Sequence, residues 1–108
     1  MIDPTSMMIE RDRQIKNSIL RVLYVHRESG LEIGYDAAEL SNLLRDTVFG
    51  SNCGELGAKV RDLLDRRLIC QVANVNPPRF VMTADGADFC RANFPWSMLD
   101  KYTGRSNA

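Results

Sequence analysis

The hydrophobic rhythm of this 108-residue chain changes near Leu68, and that change constrains the fold more than any other feature. Before it, apolar residues recur with the i, i+4, i+7 and i+8 spacing of one helix face. These residues are Leu56, Val60, Leu63 and Leu64. After it, Leu68–Val72 is short, rich in β-formers and free of Lys and Glu, which predicts a strand. The stretch therefore indicates a helix that is followed directly by a β-ribbon.

The ribbon's return strand is predicted at Arg79–Met82, after a turn cluster that runs from Asn74 to Pro78. The two prolines of that cluster are unsuited to a central strand, because proline has no N–H to donate to a ladder. Thr83 is a good N-cap for a last helix, whose inner face is predicted to include Phe89 and Ala92.

The residues before Leu56 predict two further helices and a short strand. Apolar spacing predicts a first helix over Glu10–Arg27, which ends before Gly30. The segment Leu31–Tyr35 alternates weakly and predicts a first strand that pairs with the base of the ribbon. His26 has no Ser, Cys or acid at catalytic spacing, so it is interpreted as a capping or surface histidine.

A second helix is predicted from Asp36 to about Arg45. Asp36 and Glu39 have the spacing of a capping box, in which each side chain bonds the other residue's backbone N–H. Asn52 and Glu55 repeat that spacing at the start of the third helix. The inward residues of the second helix are predicted to be Leu40, Leu43 and Leu44.

Composition narrows the class of protein. Fourteen basic residues balance fourteen acidic ones, so no long-range field identifies a polyanionic partner. There is no run of 18 or more apolar residues, and the first eight residues lack a signal-peptide pattern, so we expect a cytoplasmic protein without a membrane span. Three widely spaced cysteines fit neither a disulfide scaffold nor a zinc site, and we expect buried, reduced thiols. They are Cys53, Cys70 and Cys90.

Enzymatic chemistry has no recognisable motif in this chain. There is no glycine-rich phosphate loop, no nucleophile elbow, no metal-ligand spacing and no partnered histidine. Gly54 and Gly57 lie within a predicted helix and match no phosphate-binding fingerprint. We therefore expect no catalysis, no cofactor and no metal.

Two local segments resemble the winged helix-turn-helix superfamily. Arg79–Phe89, RFVMTADGADF, is similar to the Y-x-L-T-x-x-G segment where the second wing strand enters the last helix of many prokaryotic winged-helix regulators. Leu63–Ile69, LLDRRLI, is similar to their L-x-x-x-G-L-I exit from the third helix, with Arg66-Arg67 where glycine is usual. The resemblance covers roughly residues 9–94 and is typical of a small bacterial or phage protein.

The resemblance implies an α+β, mostly α fold: a winged helix-turn-helix with a three-helix core, a two-stranded wing and a C-terminal helix. The predicted domain spans residues 9–94, followed by a C-terminal tail over 95–108. Residues 1–8 form an N-terminal extension, for which two readings stay open. Either it is native, or Met1–Ser6 is an artificial addition before a natural start at Met7 or Met8.

The resemblance also implies a transcriptional regulator that binds double-stranded DNA, with the third helix in the major groove and the wing on the backbone. The outward positions of that helix are expected to be Ser51, Asn52, Glu55, Ala58, Lys59, Asp62 and Arg66. On this mapping Asn52 contacts an adenine edge, Lys59 a guanine or a phosphate, and Ser51 a phosphate. Arg79 reaches a phosphate or a narrow minor groove. The expected DNA-contact residues are Arg45, Ser51, Asn52, Lys59, Arg66 and Arg79.

The charges of this region also allow a different interpretation. From Asp36 to Arg67 there are six acidic and five basic residues, so the local net charge is −1. Phosphate neutralisation supplies most of the affinity in ordinary DNA binding, and this segment offers no net positive charge for it. The charged residues of the third helix are then a solvated face, joined by i, i+4 pairs such as Asp62 with Arg66.

Apolar residues at the two ends of the chain predict a contact surface. Exposed, they mark either a homodimer, which places two third helices on two half-sites, or a protein–protein interaction module without strong DNA binding. Alternatively, the tail folds back onto the first helix and completes the core. The predicted dimer residues are Ile9, Phe94, Trp96, Leu99 and Tyr102.

Overall fold

A computed structural model of the protein describes residues 4–45 and 53–93, apart from the side chains of Pro4 and Cys53. The fold is α+β and mostly helical, with four helices and a three-stranded antiparallel sheet in the described ranges. The elements are α1 Pro4–Glu28, β1 Tyr35–Asp36, α2 Ala37–Leu44, α3 Cys53–Asp65, β2 Ile69–Gln71, β3 Arg79–Met82 and α4 Ala84–Asn93.

The predicted transition from helix to β-ribbon near Leu68 is confirmed. α3 ends at Asp65, β2 begins at Ile69, and β2 pairs with β3 through Ile69 opposite Met82 and Gln71 opposite Phe80. The first strand pairs with the hairpin's return strand, but it lies at Tyr35–Asp36 and not over Leu31–Tyr35, and it faces Phe80 and Arg79 at the loop end of the hairpin, so its predicted pairing with the base is wrong. The strand order is β1-β3-β2, so β3 lies in the centre of the sheet.

Local capping signals set the starts of two helices. Glu39 N–H donates to Asp36 Oδ1 at 2.7 Å and Asp36 N–H to Glu39 Oε1 at 3.2 Å, which confirms the capping box of α2. Thr83 Oγ1 accepts the Gly86 N–H at 2.9 Å and caps α4. Gly30, with φ of +79°, follows the end of α1, where a left-handed residue stops a helix at no steric cost.

The core lies where α1 packs against α3, α4 and the inner face of the sheet. Ile19 and Leu23 of α1, Leu56 of α3 and Leu40 of α2 are fully buried. α1 is longer than predicted, and its first turns carry exposed apolar side chains. No helix in the described ranges is both long enough and apolar enough to cross a bilayer.

Four sequence-based expectations about burial are wrong. Leu43 is 50% exposed, because the buried residues of α2 are Leu40 and Leu44. Phe89 is 38% exposed, because the buried side of α4 is formed by Gly86, Ala87 and Cys90. Ala92 is exposed for the same reason. Cys70 is also exposed, since its side chain points away from the face of the sheet that covers the core. Cys90 is buried as predicted, and burial raises the pKa of its thiol to about 12.

Candidate nucleic-acid interface

The surface of α3 that faces solvent is narrow and made mainly of small residues. Gly57, Ala58, Arg61 and Asp65 are exposed and share the side of the helix opposite the buried stripe of α3. We call these four residues the outward stripe. It has one positive and one negative side chain, and its first half has no side chain larger than a methyl group.

A second face of α3 is occupied by ion pairs with α1. Arg11 holds Glu55 with two hydrogen bonds, Nε to Oε2 at 2.7 Å and Nη2 to Oε1 at 2.8 Å. Asp12 accepts from Lys59 at 2.5 Å and from Lys16 at 2.8 Å, and Lys16 also pairs with Asp62. We call this set the α1–α3 seam. It comprises Arg11, Asp12, Lys16, Glu55, Lys59 and Asp62.

The seam lowers the pKa of the acids on α3. The hydrogen bond from Arg11 holds the pKa of Glu55 below its ordinary value, and that from Lys16 does the same for Asp62. Three positive and three negative groups make the seam neutral. Helical periodicity places Glu55, Lys59 and Asp62 on the outward face, but the structure turns them towards α1 instead.

Lys59 and Arg66 therefore have different environments. Lys59 is only 22% exposed and its ammonium already contacts Asp12. Arg66 is 62% exposed, with Nε 3.3 Å from the Asp62 carboxylate, which confirms the predicted i, i+4 pair. Of these two predicted DNA-contact residues, Arg66 is the one whose charged group is open to a ligand.

The Arg79 side chain makes several polar contacts within the protein, which we call the Arg79 network. Its guanidinium donates to the carbonyl oxygens of Ile33 at 3.0 Å and Gly34 at 2.7 Å, and lies 2.7 Å from the Glu39 carboxylate. Asp36 is 3.8 Å away. These contacts join β3 to the loop before β1 and to the first turn of α2. A phosphate contact by Arg79 stays a prediction, and it competes with this network.

The loop between β2 and β3 has no charge. From Gln71 to Pro78 there is no Lys, Arg, Asp or Glu, and Ala73 to Pro78 are exposed. Asn74 has φ of +60° at the turn. A nucleic acid that met this loop would find amide and apolar groups, without the charge that usually holds a phosphate.

Arg45 is exposed beyond the end of α2, and its Nη2 donates to Asn42 Oδ1 at 3.0 Å. Its predicted backbone contact is compatible with this position and stays a prediction. Ser51 and Asn52 lie outside the described residues, as do four of the predicted dimer residues, Phe94, Trp96, Leu99 and Tyr102.

Two exposed arginines were not among the contact residues predicted from the sequence. Arg61 lies on the outward stripe, and Arg67 follows the end of α3. Neither has an ion pair within residues 4–45 and 53–93. The charges of α1 held the signal for Arg61. Arg11, Asp12 and Lys16 are complementary in charge to residues on one side of α3. Pairing between the two helices turns that side of α3 towards α1 and shifts its solvent-facing side by about one residue position.

The N-terminal turns of α1 carry an exposed apolar patch. Met7 is 59% exposed, Met8 72% and Ile9 65%. Ile9 is thus accessible, as a dimer contact requires, and its role in a dimer stays a prediction. Within the described ranges, no group of three or more His, Cys, Asp or Glu side chains is arranged to hold a metal ion.

Comparisons of the chain with protein-family models, with curated proteins and with solved structures found no match.

Proposed function

We propose that this protein is a winged-helix DNA-binding module, acting as a transcriptional regulator, in which α3 enters the major groove and the β2–β3 hairpin lies along the backbone. The element order and the strand order β1-β3-β2 support the winged-helix assignment. The assignment of function rests on this architecture, which is an argument from analogy, together with the surface of α3.

The outward stripe is the observation that carries the proposal. Gly57 and Ala58 have side chains small enough for the α3 backbone to approach base edges closely, and Arg61 follows on the same side of the helix. Asp65 ends the stripe and repels phosphate, which restricts favourable contacts to the first three residues. The exposure of Arg61 and the ion pair of Lys59 support Arg61, rather than Lys59, as the centre of the proposed contact.

The charge distribution predicts a weak electrostatic contribution. The exposed bases at and near the end of α3 are Arg61, Arg66 and Arg67, and Lys59 and Arg79 are engaged within the protein. About three phosphate contacts give a slope of log K against log salt near −3, well below that of a strongly basic regulator. Specificity would then depend mainly on base edges and DNA shape.

The test is binding to a random-sequence duplex as the salt concentration is raised. Arg61→Gln is expected to weaken binding about fivefold at about 50 mM salt and to make the slope shallower by about one. The matched control is Arg13→Gln, which removes the same charge from a 67%-exposed site on α1, where it pairs with Glu10. Absence of binding by the parent protein at low salt, or equal effects of the two variants, would reject the proposal.

The proposed regulator is a homodimer, because a two-fold axis would present two copies of α3 to two half-sites. The exposed apolar side chains of Ile9 and Met8 support a contact at the N-terminal end of α1. Sedimentation of the parent, of Ile9→Ser and of Trp96→Ala tests this. A dimer that dissociates in either variant supports it, and a monomeric parent rejects it.

A second candidate function is a protein–protein interaction module without strong DNA binding. It is favoured by the exposure of Met7, Met8 and Ile9 together with the neutral hairpin loop. A parent protein that ignores duplex DNA at low salt, yet self-associates through α1, would select this function over the first.

A further inference from the structure

The chain leaves α3 through a left-handed arginine. Arg67 has φ of +60°, its N–H bonds the Leu64 carbonyl at 3.0 Å, and the Leu68 N–H bonds the Leu63 carbonyl at 3.2 Å. This pair of hydrogen bonds is the Schellman arrangement, in which the left-handed residue is usually glycine because a Cβ is unfavourable there. Arg67 thus occupies a position where its side chain destabilises the backbone conformation.

Among the residues that the structure describes, no contact of the Arg67 side chain offsets this cost. The side chain is exposed and has no hydrogen bond or ion pair within the described ranges. The position of its backbone is set instead by Thr83, whose Oγ1 donates to the Arg67 carbonyl oxygen at 2.8 Å. Arg66, one residue earlier, already supplies a cation at the C-terminal end of the helix, where a positive charge is favourable.

An unfavourable backbone conformation that keeps a large exposed cation points to a role for that cation in binding. The location suits a phosphate contact, because Arg67 lies between the end of α3 and the start of β2, which are the two elements proposed to approach the duplex. A guanidinium presents a planar pair of N–H donors that matches two phosphate oxygens. Arg66 and Arg61, both exposed, extend the positive surface beside it.

We propose that Arg67 binds a backbone phosphate of duplex DNA, an inference that rests on the function proposed above. The contact positions α3 without reading sequence, since a phosphate is present at every step of the duplex. Arg67 is therefore a binding residue at a site where glycine would give a more stable protein.

The test measures stability and DNA binding on the same variants. In Arg67→Gly the melting temperature is expected to rise by about 4 °C, because glycine adopts the left-handed conformation freely. Its affinity for a random-sequence duplex is expected to fall about fivefold at about 50 mM salt, with a slope of log K against log salt shallower by about one. In Arg67→Lys, which keeps the charge and the backbone cost, the salt slope and the melting temperature are expected to stay unchanged.

Asn74→Gly supplies the matched control. Asn74 is the other non-glycine residue with φ of +60° in the described ranges, and its replacement relieves the same backbone conformation without a change of charge. Its salt slope is expected to equal that of the parent protein.

The failures are distinguishable. A parent protein that binds duplex DNA, with Arg67→Gly binding equally well, rejects the phosphate contact and leaves the proposed function intact. A lower melting temperature for Arg67→Gly also rejects the inference, since the side chain would then stabilise the fold. A parent protein that binds no duplex rejects both.

Discussion

The backbone N–H of Gly34 donates a 2.9 Å hydrogen bond to Nε2 of His26, which joins the last turn of α1 to the residue before β1. His26 is 4% exposed and its ring lies 4.7 Å from the Tyr35 ring. The expectation of a capping or surface histidine is therefore wrong. An Nε2 that accepts a hydrogen bond belongs to a neutral ring with its proton on Nδ1, and Nδ1 has no partner in the described ranges.

This contact predicts a loss of stability in mild acid. Burial lowers the pKa of His26 from its ordinary 6.5, and Arg79 lowers it further against an opposing effect of Glu39. Because the unfolded chain takes up the proton first, the free energy of unfolding is highest above about pH 6.5 and falls as the pH drops through the lowered pKa. Denaturant unfolding between about pH 8 and pH 5 measures this.

The control for the pH experiment is His26→Gln, which removes the titrating group. The difference in unfolding free energy between parent and variant is expected to shrink as the pH falls, because only the parent loses stability when His26 takes up a proton. The carboxylates that titrate at lower pH are present in both proteins, so their effects cancel in the difference. A constant difference would show that protonation of His26 is not coupled to folding.

Gly34→Ala is expected to destabilise the protein by about 3 kcal/mol. Gly34 has φ of +77°, and a Cβ there would lie 2.8 Å from the Phe80 carbonyl oxygen and 3.1 Å from Val81 Cγ1. Gly30→Ala is the matched control, because Gly30 has φ of +79° but no atom within 4 Å of the added Cβ. It should cost only about 1 kcal/mol. Equal losses in urea unfolding would show that crowding at Phe80 has no effect.

Gly86→Ala and Gly57→Ala are expected to have opposite effects, although both place Ala in a helix. At Gly86 the new Cβ would overlap the Leu68 carbonyl oxygen and lie 3.0 Å from Met82 Cγ, so α4 must move away from the Leu68 backbone at a cost of about 3 kcal/mol. At Gly57 nothing lies within 4 Å, and Ala should stabilise α3 by about 0.5–1 kcal/mol. Thermal unfolding measures both. A stabilised Gly86→Ala would contradict the close packing of α4 on the Leu68 backbone.

Asp12→Asn is expected to weaken the α1–α3 seam by about 1 kcal/mol, because Asp12 accepts from both Lys16 and Lys59. Arg13→Gln, which breaks an exposed pair with Glu10, should have almost no effect on stability. The difference between the two variants should narrow as salt is added, since salt screens partly exposed charges. An Asp12→Asn protein as stable as the parent at low salt would show that the seam does not stabilise the fold.

Local sequence predicted the elements well, because the physics that forms them acts over a few residues. The capping box of Asp36 and Glu39 joins residues three positions apart, and Thr83 caps α4 over the same distance. The change of hydrophobic period near Leu68 marked the hairpin correctly. Periodicity was less informative about depth of burial. It identifies the apolar side of a helix, and the exposure of Leu43 and Phe89 depends on how far the neighbouring elements extend.

The sequence by itself determined the order and type of the helices and strands, since the interactions that form them are short in range, although α1 begins earlier than predicted and β1 is confined to Tyr35–Asp36. Only the tertiary structure decided which charged groups remain open to a partner. Arg11 and Glu55 are 44 positions apart and Arg79 and Gly34 are 45, so their contacts exist only once α1 packs on α3 and β3 beside β1. Ion pairs and buried hydrogen bonds depend on distance in space, and for that reason Lys59, Arg79 and His26 have environments that helical periodicity did not predict.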